Sequence, residues 1–305
     1  MNEIRKNDFF ETGKDGVRKI LTPDDKKIDI VEFDDKKLCV VKSGMDYPAI
    51  YPMYETHFEP KAEAILMDLD GTTLTSEDFW VFVIEQTMQK LLGDGKFSLE
   101  ESDIPFVSGF TTVDHLNYCL NKYMPDEDIN SAVECYHNIA EFQLKEIMQG
   151  RGHVDAFKPA DGLKDFLTEV KKRNIKIGLA TSGLDYKAIP EIVAAFRTLN
   201  MGDPRNYYDA IITGGRRKDV GDYGTLGEVA SKPHPWIYIE LAYLGLKVTD
   251  PTTVIGIEDS AAGVLSLRFS GFPVVGLNGG NITQSGLDCL CCKKVNKLEE
   301  ILQII

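Results

Sequence analysis

The sequence predicts an α/β fold: a doubly wound, mainly parallel, Rossmann-like sheet with an inserted helical cap subdomain and an N-terminal accessory hairpin. The first observation is that short apolar runs alternate with helical periodicity from Ala62 onward. Several runs are almost continuously apolar, which is typical of parallel strands buried on both faces. The second observation is the interval between residues 75 and 157, which has helical stretches and no convincing buried strand. This interval is too long for a simple strand–helix crossover and indicates an inserted subdomain.

The apolar pattern predicts the elements in order. A hairpin is predicted from residues 28–33 and 38–41, with a turn at residues 34–37 and a connector at residues 47–60. Buried strands are predicted at residues 64–67, 175–180, 210–212, 253–257 and 273–277. Helices are predicted at residues 78–92, 113–122 and 128–148. Two further helices are predicted from apolar residues at helical spacing. The first has Leu163, Phe166, Leu167 and Val170, and the second has Ile237, Leu241 and Leu244. The chain then divides into an accessory segment (residues 1–60), a core (61–77 and 158–305) and a helical cap (78–157).

The net charge limits the classes of partner. The 305 residues include 34 basic and 48 acidic side chains, which gives a formal net charge of −14. This charge repels phosphate backbones and anionic lipid, so neither nucleic acid nor a membrane surface is expected as a partner. No apolar run approaches the roughly 20 residues that span a bilayer, and residues 1–16 lack the apolar segment of a secretory signal. We therefore expect a cytoplasmic protein, and no obligate protein partner is evident.

The six cysteines do not predict a disulfide scaffold in a chain of this length. Cys289, Cys291 and Cys292 are close enough in sequence to suggest a soft-metal or redox cluster. They lack the second cysteine pair and the nearby histidine that a closed zinc site needs. We therefore interpret the cysteines as reduced, structural thiols.

Polar side chains follow three of the predicted strands at the point where each strand ends. In chain order they are Asp68 and Asp70, then Thr181 and Ser182, then Glu258 and Asp259. Open parallel sheets bind ligands at the carboxyl ends of their strands, so these side chains are expected at one edge. Lys232 is expected to join them, because Pro233 favours an extended conformation for Lys232 at a helix entrance.

The spacing of Asp68 and Asp70 places both carboxylates on one side of an extended chain. Two adjacent carboxylates repel each other unless they share a cation or a proton. Together with Glu258 and Asp259 they suit Mg²⁺, which prefers carboxylate and phosphate oxygens. A calcium loop is a poorer interpretation, because Thr72 occupies the position of its third acidic ligand. An isolated acidic turn is also a poorer one, because polar residues recur at successive strand ends.

Four segments resemble the motifs of the haloacid dehalogenase-like hydrolase superfamily. They are Asp68-Leu-Asp-Gly-Thr-Thr-Leu-Thr-Ser-Glu, Leu179-Ala-Thr-Ser-Gly, Ser231-Lys-Pro-His-Pro-Trp-Ile-Tyr and Gly256-Ile-Glu-Asp-Ser-Ala-Ala-Gly. The order and content are most similar to the branch of phosphoglycolate phosphatase and β-phosphoglucomutase, which has a helical cap after the first motif. The resemblance covers residues 62–280. Residues 1–60 lie outside it, and the Gly-rich residues 213–230 exceed the usual spacing.

The resemblance implies a role for each candidate residue. Asp68 would be the nucleophile that forms an aspartyl-phosphate, and Asp70 would be the general acid and then the base. Thr181, Ser182 and Lys232 would hold the phosphoryl oxygens. Mg²⁺ would be bound by Asp68, the backbone carbonyl of Asp70 and Asp259, with Glu258 as a further ligand or as a support.

The leading function is therefore a Mg²⁺-dependent phosphatase for a small phosphorylated metabolite. The alternatives are a sugar-phosphate mutase, an inorganic pyrophosphatase and a non-catalytic binding protein on the same fold. A mutase must hold a second phosphate, which favours arginine, and residues 78–150 contain none. Their lysines are Lys90, Lys96, Lys122 and Lys145. The acid at Asp70 disfavours a dehalogenase, because a halide leaves without a proton.

Three other features are given local interpretations. His234 is interpreted as a helix-start residue near the cleft rather than as a catalytic histidine. Residues 108–112 are either a substrate-selecting loop or a plain turn between helices. Residues 216–218 are a basic run that is usually solvated but lies close in sequence to Lys232.

Overall fold

The computed structural model describes residues 1–24, 26–42, 48–107, 112–215 and 231–305. These residues form two compact units. The sheet unit comprises Met1–Thr73, Ala160–Asp185 and Met201–Ile305, and the helical unit comprises Leu74–Pro159 and Tyr186–Asn200. No helix of the described part is long and apolar enough to cross a membrane.

The elements are numbered in chain order. The strands are β1 (Asn2–Ile4), β2 (Lys19–Thr22), β3 (Ile28–Glu32), β4 (Lys37–Val41), β5 (Ala49–Pro52), β6 (Ala64–Asp68), β7 (Leu74–Thr75), β8 (Lys158–Pro159), β9 (Lys176–Ala180), β10 (Ala210–Ile212), β11 (Val254–Glu258), β12 (Val274–Leu277) and β13 (Lys293–Val295). The α-helices are α1 (Glu77–Leu92), α2 (Ile104–Val107), α3 (Thr112–Tyr123), α4 (Ile129–Met148), α5 (Leu163–Lys172), α6 (Asp185–Thr198), α7 (Trp236–Ile239), α8 (Ala261–Phe269) and α9 (Leu298–Ile301).

The centre of the sheet unit is a six-stranded sheet with the order β10-β9-β6-β11-β12-β13. Every neighbouring pair in it is parallel. The predicted α/β class is thus confirmed, and the two central strands β6 and β11 are buried along their whole length. Strand β13 is not predicted from the sequence, because two of its three residues are Lys293 and Lys294 and give no apolar signal.

The N-terminal segment forms an antiparallel sheet with the order β1-β2-β3-β4-β5. The predicted hairpin corresponds to β3 and β4, which pair from Ile28 opposite Val41 to Glu32 opposite Lys37. Strand β5 lies inside the segment predicted to be a connector. Its residues alternate between half-buried and exposed, so no apolar face marks it as a strand. Apolar residues of this sheet, including Ile30 and Val41, share one core with the parallel sheet and its helices.

The helix after Lys232 departs from the predicted periodicity. Helix α7 continues as a π-helix over Glu240–Gly245, and this wider turn shifts the residues that follow. Leu241 is buried as predicted, but Leu244 is 74% exposed. Gly245 instead faces the sheet, where a Cβ atom would lie 2.8 Å from Cβ of Ala210.

The helical unit contains α1 to α4 and most of α6. Its core includes Phe79 and Val83 of α1, Leu116 of α3 and Leu144 of α4. Between residues 75 and 157, the described part of the chain has no strand beyond the start of the short β7–β8 pair. The three helices predicted in this interval correspond to α1, α3 and α4.

All six cysteines are free thiols. Cys39, Cys119 and Cys135 are buried, whereas Cys289 and Cys292 are exposed. Burial raises the pKa of Cys119 and of the half-buried Cys291 to about 12. Such thiols are weak nucleophiles at neutral pH.

Candidate active site

The register of the parallel sheet brings Asp68 between two other strand ends. Asp68 pairs with Ala180 of β9, so Thr181 follows directly beside it. On the other side Met67 pairs with Ile257 of β11, so Glu258 is the next residue along that strand. Because the strands are parallel, all three carboxyl ends meet at one edge of the sheet.

Lys232 joins this edge from a distant part of the sequence. Its Nζ lies 2.5 Å from Oδ1 of Asp68 and 2.7 Å from Oε1 of Glu258. The ammonium also donates to the carbonyl of Ala180 at 3.4 Å and lies 4.8 Å from the centre of the Tyr238 ring. All three charged side chains are buried, so water screens their interaction only weakly. Lys232 thereby bridges two carboxylates that would otherwise repel each other.

Glu258 is held by hydrogen bonds to both of its oxygens. Oε1 accepts from Lys232 and from the Tyr238 hydroxyl, the latter at 2.6 Å. Oε2 accepts from the amide and the hydroxyl of Ser260 at 3.3 and 3.1 Å. Gly263 of α8 approaches so closely that a Cβ atom there would overlap the Glu258 carboxylate. The carboxylate is therefore fixed in place and in turn fixes the Lys232 ammonium.

Two glycines make room for the carboxylate of Asp259. A Cβ atom at Gly71 or at Gly280 would overlap this carboxylate. Gly71 also has a φ of +84°, which favours glycine over any residue with a side chain. The hydroxyl of Thr72 donates to Oδ1 of Asp259 at 3.4 Å. The turn after β6 is thus shaped around an acidic side chain from another strand.

The turn after β6 also places Asp70. The Thr73 hydroxyl donates to the backbone carbonyl of Asp68 at 2.6 Å, and the Thr73 amide donates to the carbonyl of Leu69. These bonds tighten the turn immediately after the strand. The Asp70 side chain is exposed, whereas the Asp68 side chain is buried. The two acidic residues therefore have different environments.

The residues after β9 contact the backbone of the same edge. The Thr181 hydroxyl accepts a hydrogen bond from the Gly183 amide at 2.9 Å. The Ser182 hydroxyl accepts one from the backbone amide of Lys232 at 3.0 Å. Ser182 thus links the end of β9 to the segment that carries the lysine.

Burial and neighbouring charge determine the protonation of the cluster. Burial and the charge of Glu258 raise the pKa of Asp68 well above its usual value, although Lys232 opposes this shift. Burial and Glu258 also raise the pKa of Asp259 to about 7. For Lys232, burial disfavours the charged form, but the charges of Asp68 and Glu258 outweigh it and raise the pKa. The cluster therefore contains more negative charge than Lys232 alone neutralises, and an additional cation would be stabilised there.

Asp68, Glu258 and Asp259 could together hold a metal ion, because one carboxylate oxygen from each lies within 4.8 Å of the others. Among the described residues this is the only such group of three or more metal-ligating side chains. The cysteines at 289, 291 and 292 do not form one. Carboxylate oxygens are the donors that Mg²⁺ prefers, so the donor set fits this ion.

The structure brings together residues that are far apart in the sequence, and it adds others that sequence reasoning missed. Asp68, Lys232, Glu258 and Asp259 form one cluster, and the missed members are Thr72, Thr73, Tyr238 and Ser260. Ser260 had a usable signal, since a serine before a helix often caps its N-terminus. Tyr238 had none, because its hydroxyl is buried in an apolar helix. Residues 108–111 and 216–218 lie outside the described residues.

Solved structures of other proteins share this fold. CbbY from Rhodobacter sphaeroides, in complex with phosphate, matches with a TM-score of 0.56 and 19% identity over 79% of this chain and 96% of that chain. A proposed phosphatase from Clostridium difficile matches with a TM-score of 0.59 and 18% identity over 81% and 99% of the two chains. β-Phosphoglucomutase from Clostridium difficile matches with a TM-score of 0.50 and 21% identity over 79% and 96%. At these identities the likeness shows the fold alone.

The fold and the site define an α/β protein with a carboxylate and lysine cluster at the carboxyl edge of a parallel sheet. The sequence model of the haloacid dehalogenase-like hydrolase family matches residues 65–277, which is more than half of the chain. The chain belongs to this family, and the resemblance noted in its four motifs is confirmed. Strands β1 to β5 lie outside the matched residues.

Proposed function

We propose that this protein is a Mg²⁺-dependent phosphatase that hydrolyses a small phosphorylated metabolite through an aspartyl-phosphate. The observation that carries the proposal is the contact of 2.5 Å between the Lys232 ammonium and Oδ1 of Asp68. A carboxylate beside a buried cation is suited to attack an anionic phosphoryl group, because the cation offsets the repulsion between them.

In the first step the Asp68 carboxylate attacks phosphorus, and the bond from phosphorus to the leaving oxygen breaks. Asp70 donates its proton to that oxygen, so the product leaves as an alcohol. In the second step Asp70 accepts a proton from water, and this water displaces Asp68 from phosphorus. Lys232, Thr181 and Ser182 would bind the phosphoryl oxygens through both steps, the hydroxyls and the ammonium acting as donors.

Asp68, the backbone carbonyl of Asp70 and Asp259 would hold Mg²⁺. Glu258 would be a further ligand or would act by fixing Lys232. When bound, the ion would neutralise charge on the transferring phosphoryl group. The raised pKa values of Asp68 and Asp259 support this assignment, because a bound cation would favour the ionised form of both.

A phosphatase is favoured over a mutase by the cations of the helical unit. Its two arginines have structural partners: Arg151 forms a bidentate pair with Glu146, and Arg197 donates to the carbonyls of Ile147 and Met148. Among the lysines, Lys122 is paired with two carboxylates. A second phosphate would have to compete with these partners.

The predicted domain assignment is part of the proposal. We assign residues 61–77 and 158–305 to the catalytic core, residues 78–157 to the helical cap and residues 1–60 to an accessory segment. Pyrophosphate is the alternative substrate, because its small leaving group, phosphate, would need few contacts from the cap.

The test is a phosphate-release screen on the purified chain. The panel contains metabolite monophosphates and pyrophosphate, each assayed with Mg²⁺ and with a chelator. We expect Mg²⁺-dependent release from at least one monophosphate. In parallel, Mg²⁺ should raise the Tm of the wild type more than that of Asp259→Asn, with Asp161→Asn as an exposed control. Release that is unaffected by the chelator, or no release across the panel, would contradict the proposal.

A further inference from the structure

The position of Lys232 depends on a short segment, residues 231–235, which we call the lysine segment. On one side, the amide of Lys232 donates to the Ser182 hydroxyl at 3.0 Å. Within the segment, the amide of His234 donates to the carbonyl of Ser231 at 3.0 Å and closes a turn. Asp68 and Glu258 hold the ammonium, and the backbone of the lysine segment sets the point from which the side chain reaches them.

Helix α8 holds the lysine segment from another side. The Ser266 hydroxyl donates to the carbonyl of His234 at 2.6 Å, and the Ser270 hydroxyl donates to the carbonyl of Pro235 at 3.1 Å. Both serines are buried, so neither carbonyl is satisfied by bulk water. These two bonds hold the backbone, but they leave the orientation of the His234 ring to other contacts.

The His234 ring contacts the N-terminal sheet. It is 2% exposed and shares a hydrogen bond between Nδ1 and the hydroxyl of Tyr51, which lies on β5. The two rings also meet edge to face, with centroids 5.7 Å apart at 89°. Tyr51 is itself stacked on Phe269 of α8, with centroids 5.1 Å apart at 19°. Stacking on Phe269 therefore holds the Tyr51 ring, and the Tyr51 hydroxyl is directed at the histidine.

The hydrogen bond between Tyr51 and His234 joins the accessory segment to the candidate site. Tyr51 lies outside residues 65–277, which match the family, whereas His234 lies two positions after Lys232. The accessory segment is thus in contact with the residues that carry Lys232.

We propose that Tyr51 is a positioning residue for Lys232: through His234 it fixes the lysine segment, so that the N-terminal sheet is required for full phosphoryl transfer. The proposal rests on the function proposed above for Lys232. Tyr51 itself touches no reacting atom. The expected effect of Tyr51 is on the transition state, in which the Lys232 ammonium stabilises the charge that develops on the phosphoryl group. A displacement of the ammonium by about 1 Å is enough to slow such a step strongly.

The experiment compares Tyr51→Phe with Tyr54→Phe. The first variant keeps the stacked ring and removes the hydroxyl that reaches His234. The second makes the same chemical change three residues later, at a side chain that is 56% exposed, and leaves intact the bond from Arg268 to the Tyr54 carbonyl. We expect kcat of Tyr51→Phe to fall roughly tenfold, while KM stays within about twofold. Inhibition by orthovanadate, which resembles the transferring phosphoryl group, should weaken by a similar factor to kcat. Tyr54→Phe should match the wild type in all three measurements.

Variants of His234 test the route of the effect. His234→Asn keeps a polar group near the position of Nδ1 and should retain most of the activity. His234→Leu should lose as much as Tyr51→Phe, and adding Tyr51→Phe to it should cause no further loss. Additive losses in the double variant would overturn the proposal. If His234→Leu does not fold, the comparison of Tyr51→Phe, Tyr54→Phe and His234→Asn still decides it.

The outcomes separate this proposal from the proposed function. An active wild type with Tyr51→Phe equal to Tyr54→Phe would overturn the role of Tyr51 and leave the phosphatase intact. A lower Tm with unchanged kcat and orthovanadate inhibition would reduce Tyr51 to a structural residue and likewise overturn its role. If the wild type releases no phosphate, the function fails, and calorimetric binding of orthovanadate decides the Tyr51 proposal: weaker binding by Tyr51→Phe alone supports it, and equal or absent binding overturns it.

Discussion

The Lys232 ammonium lies 2.5 Å from Oδ1 of Asp68, although the two residues are 164 positions apart in the chain. The same ammonium contacts Glu258, which Tyr238 and Ser260 hold in place. The lysine therefore has a fixed position against the carboxylate that the proposed mechanism uses as its nucleophile. The roles of Asp68 and Lys232 can therefore be tested by separate substitutions.

Asp68→Asn should nearly abolish turnover while the protein remains folded. The amide has the shape of the carboxylate but cannot attack phosphorus, and it removes the charge that Lys232 neutralises. Steady-state phosphate release and thermal unfolding measure the two effects. Asp161→Asn, an exposed substitution in the same unit, is the matched control. Turnover of Asp68→Asn within about tenfold of the wild type would exclude Asp68 as the nucleophile.

Asp70→Asn should lower the rate by about 10²–10⁴-fold, which is the usual contribution of general acid–base catalysis. Its side chain is exposed at the end of β6, so the substitution should not unfold the protein. The loss in the first step should be smaller for an aryl phosphate than for an alkyl phosphate, because an aryl oxide leaves more readily without a proton. Single-turnover phosphorylation with both substrates measures this difference. An equal loss for the two would refute the acid role.

The helical unit should lose stability in acid because of Asp103. Its buried carboxylate accepts from Tyr118, Lys122 and Tyr123 at 2.7, 2.6 and 2.5 Å. Burial alone would raise the pKa of Asp103, but these bonds outweigh it and hold the pKa well below its usual value. The folded state therefore gains stability from ionised Asp103 above the unfolded-state pKa of about 4, and it loses this gain as the pH falls below that value.

Asp103→Ala tests this relation. At pH 7 we expect a loss of about 3 kcal/mol in the free energy of unfolding, since a buried charge network is broken. Urea unfolding near pH 3 should show a smaller difference between the variant and the wild type, because ionised Asp103 contributes less there. Asp126→Ala, an exposed substitution in the same unit, should have little effect at either pH. A difference independent of pH would show that charge is not the cause.

Net hydrolysis should dominate over isomerisation. A mutase must exclude water while its bisphosphate reorients, and it needs cations for a second phosphate. In the helical unit Arg151, Arg197 and Lys122 already have partners. Incubation with β-glucose 1-phosphate and a trace of the bisphosphate, following glucose 6-phosphate and free phosphate, separates the reactions. We expect no activation by the bisphosphate, and rapid isomerisation with little free phosphate would instead support a mutase.

The fold class and several residues of the candidate site can be predicted from the sequence alone. Strands buried on both faces, such as β6 and β11, require continuous apolar runs, so they are visible without a structure. Asp68 and Asp70 stand at the end of such a run. Their position at the carboxyl edge of the sheet can therefore be predicted. The predicted strand at 64–67 is accordingly one residue shorter than β6, and the predicted strand at 253–257 is shifted by one residue from β11.

The contacts between side chains from distant segments cannot be predicted in this way. The exposure of Leu244 follows from a π-helical turn that the apolar spacing does not encode. Strand β5 has no buried face to mark it, yet it delivers Tyr51 to His234. The bridge of Lys232 between Asp68 and Glu258 joins three separate segments. The local pattern of apolar and polar residues indicates how a segment is buried. These contacts depend instead on sheet register and on packing between residues far apart in sequence.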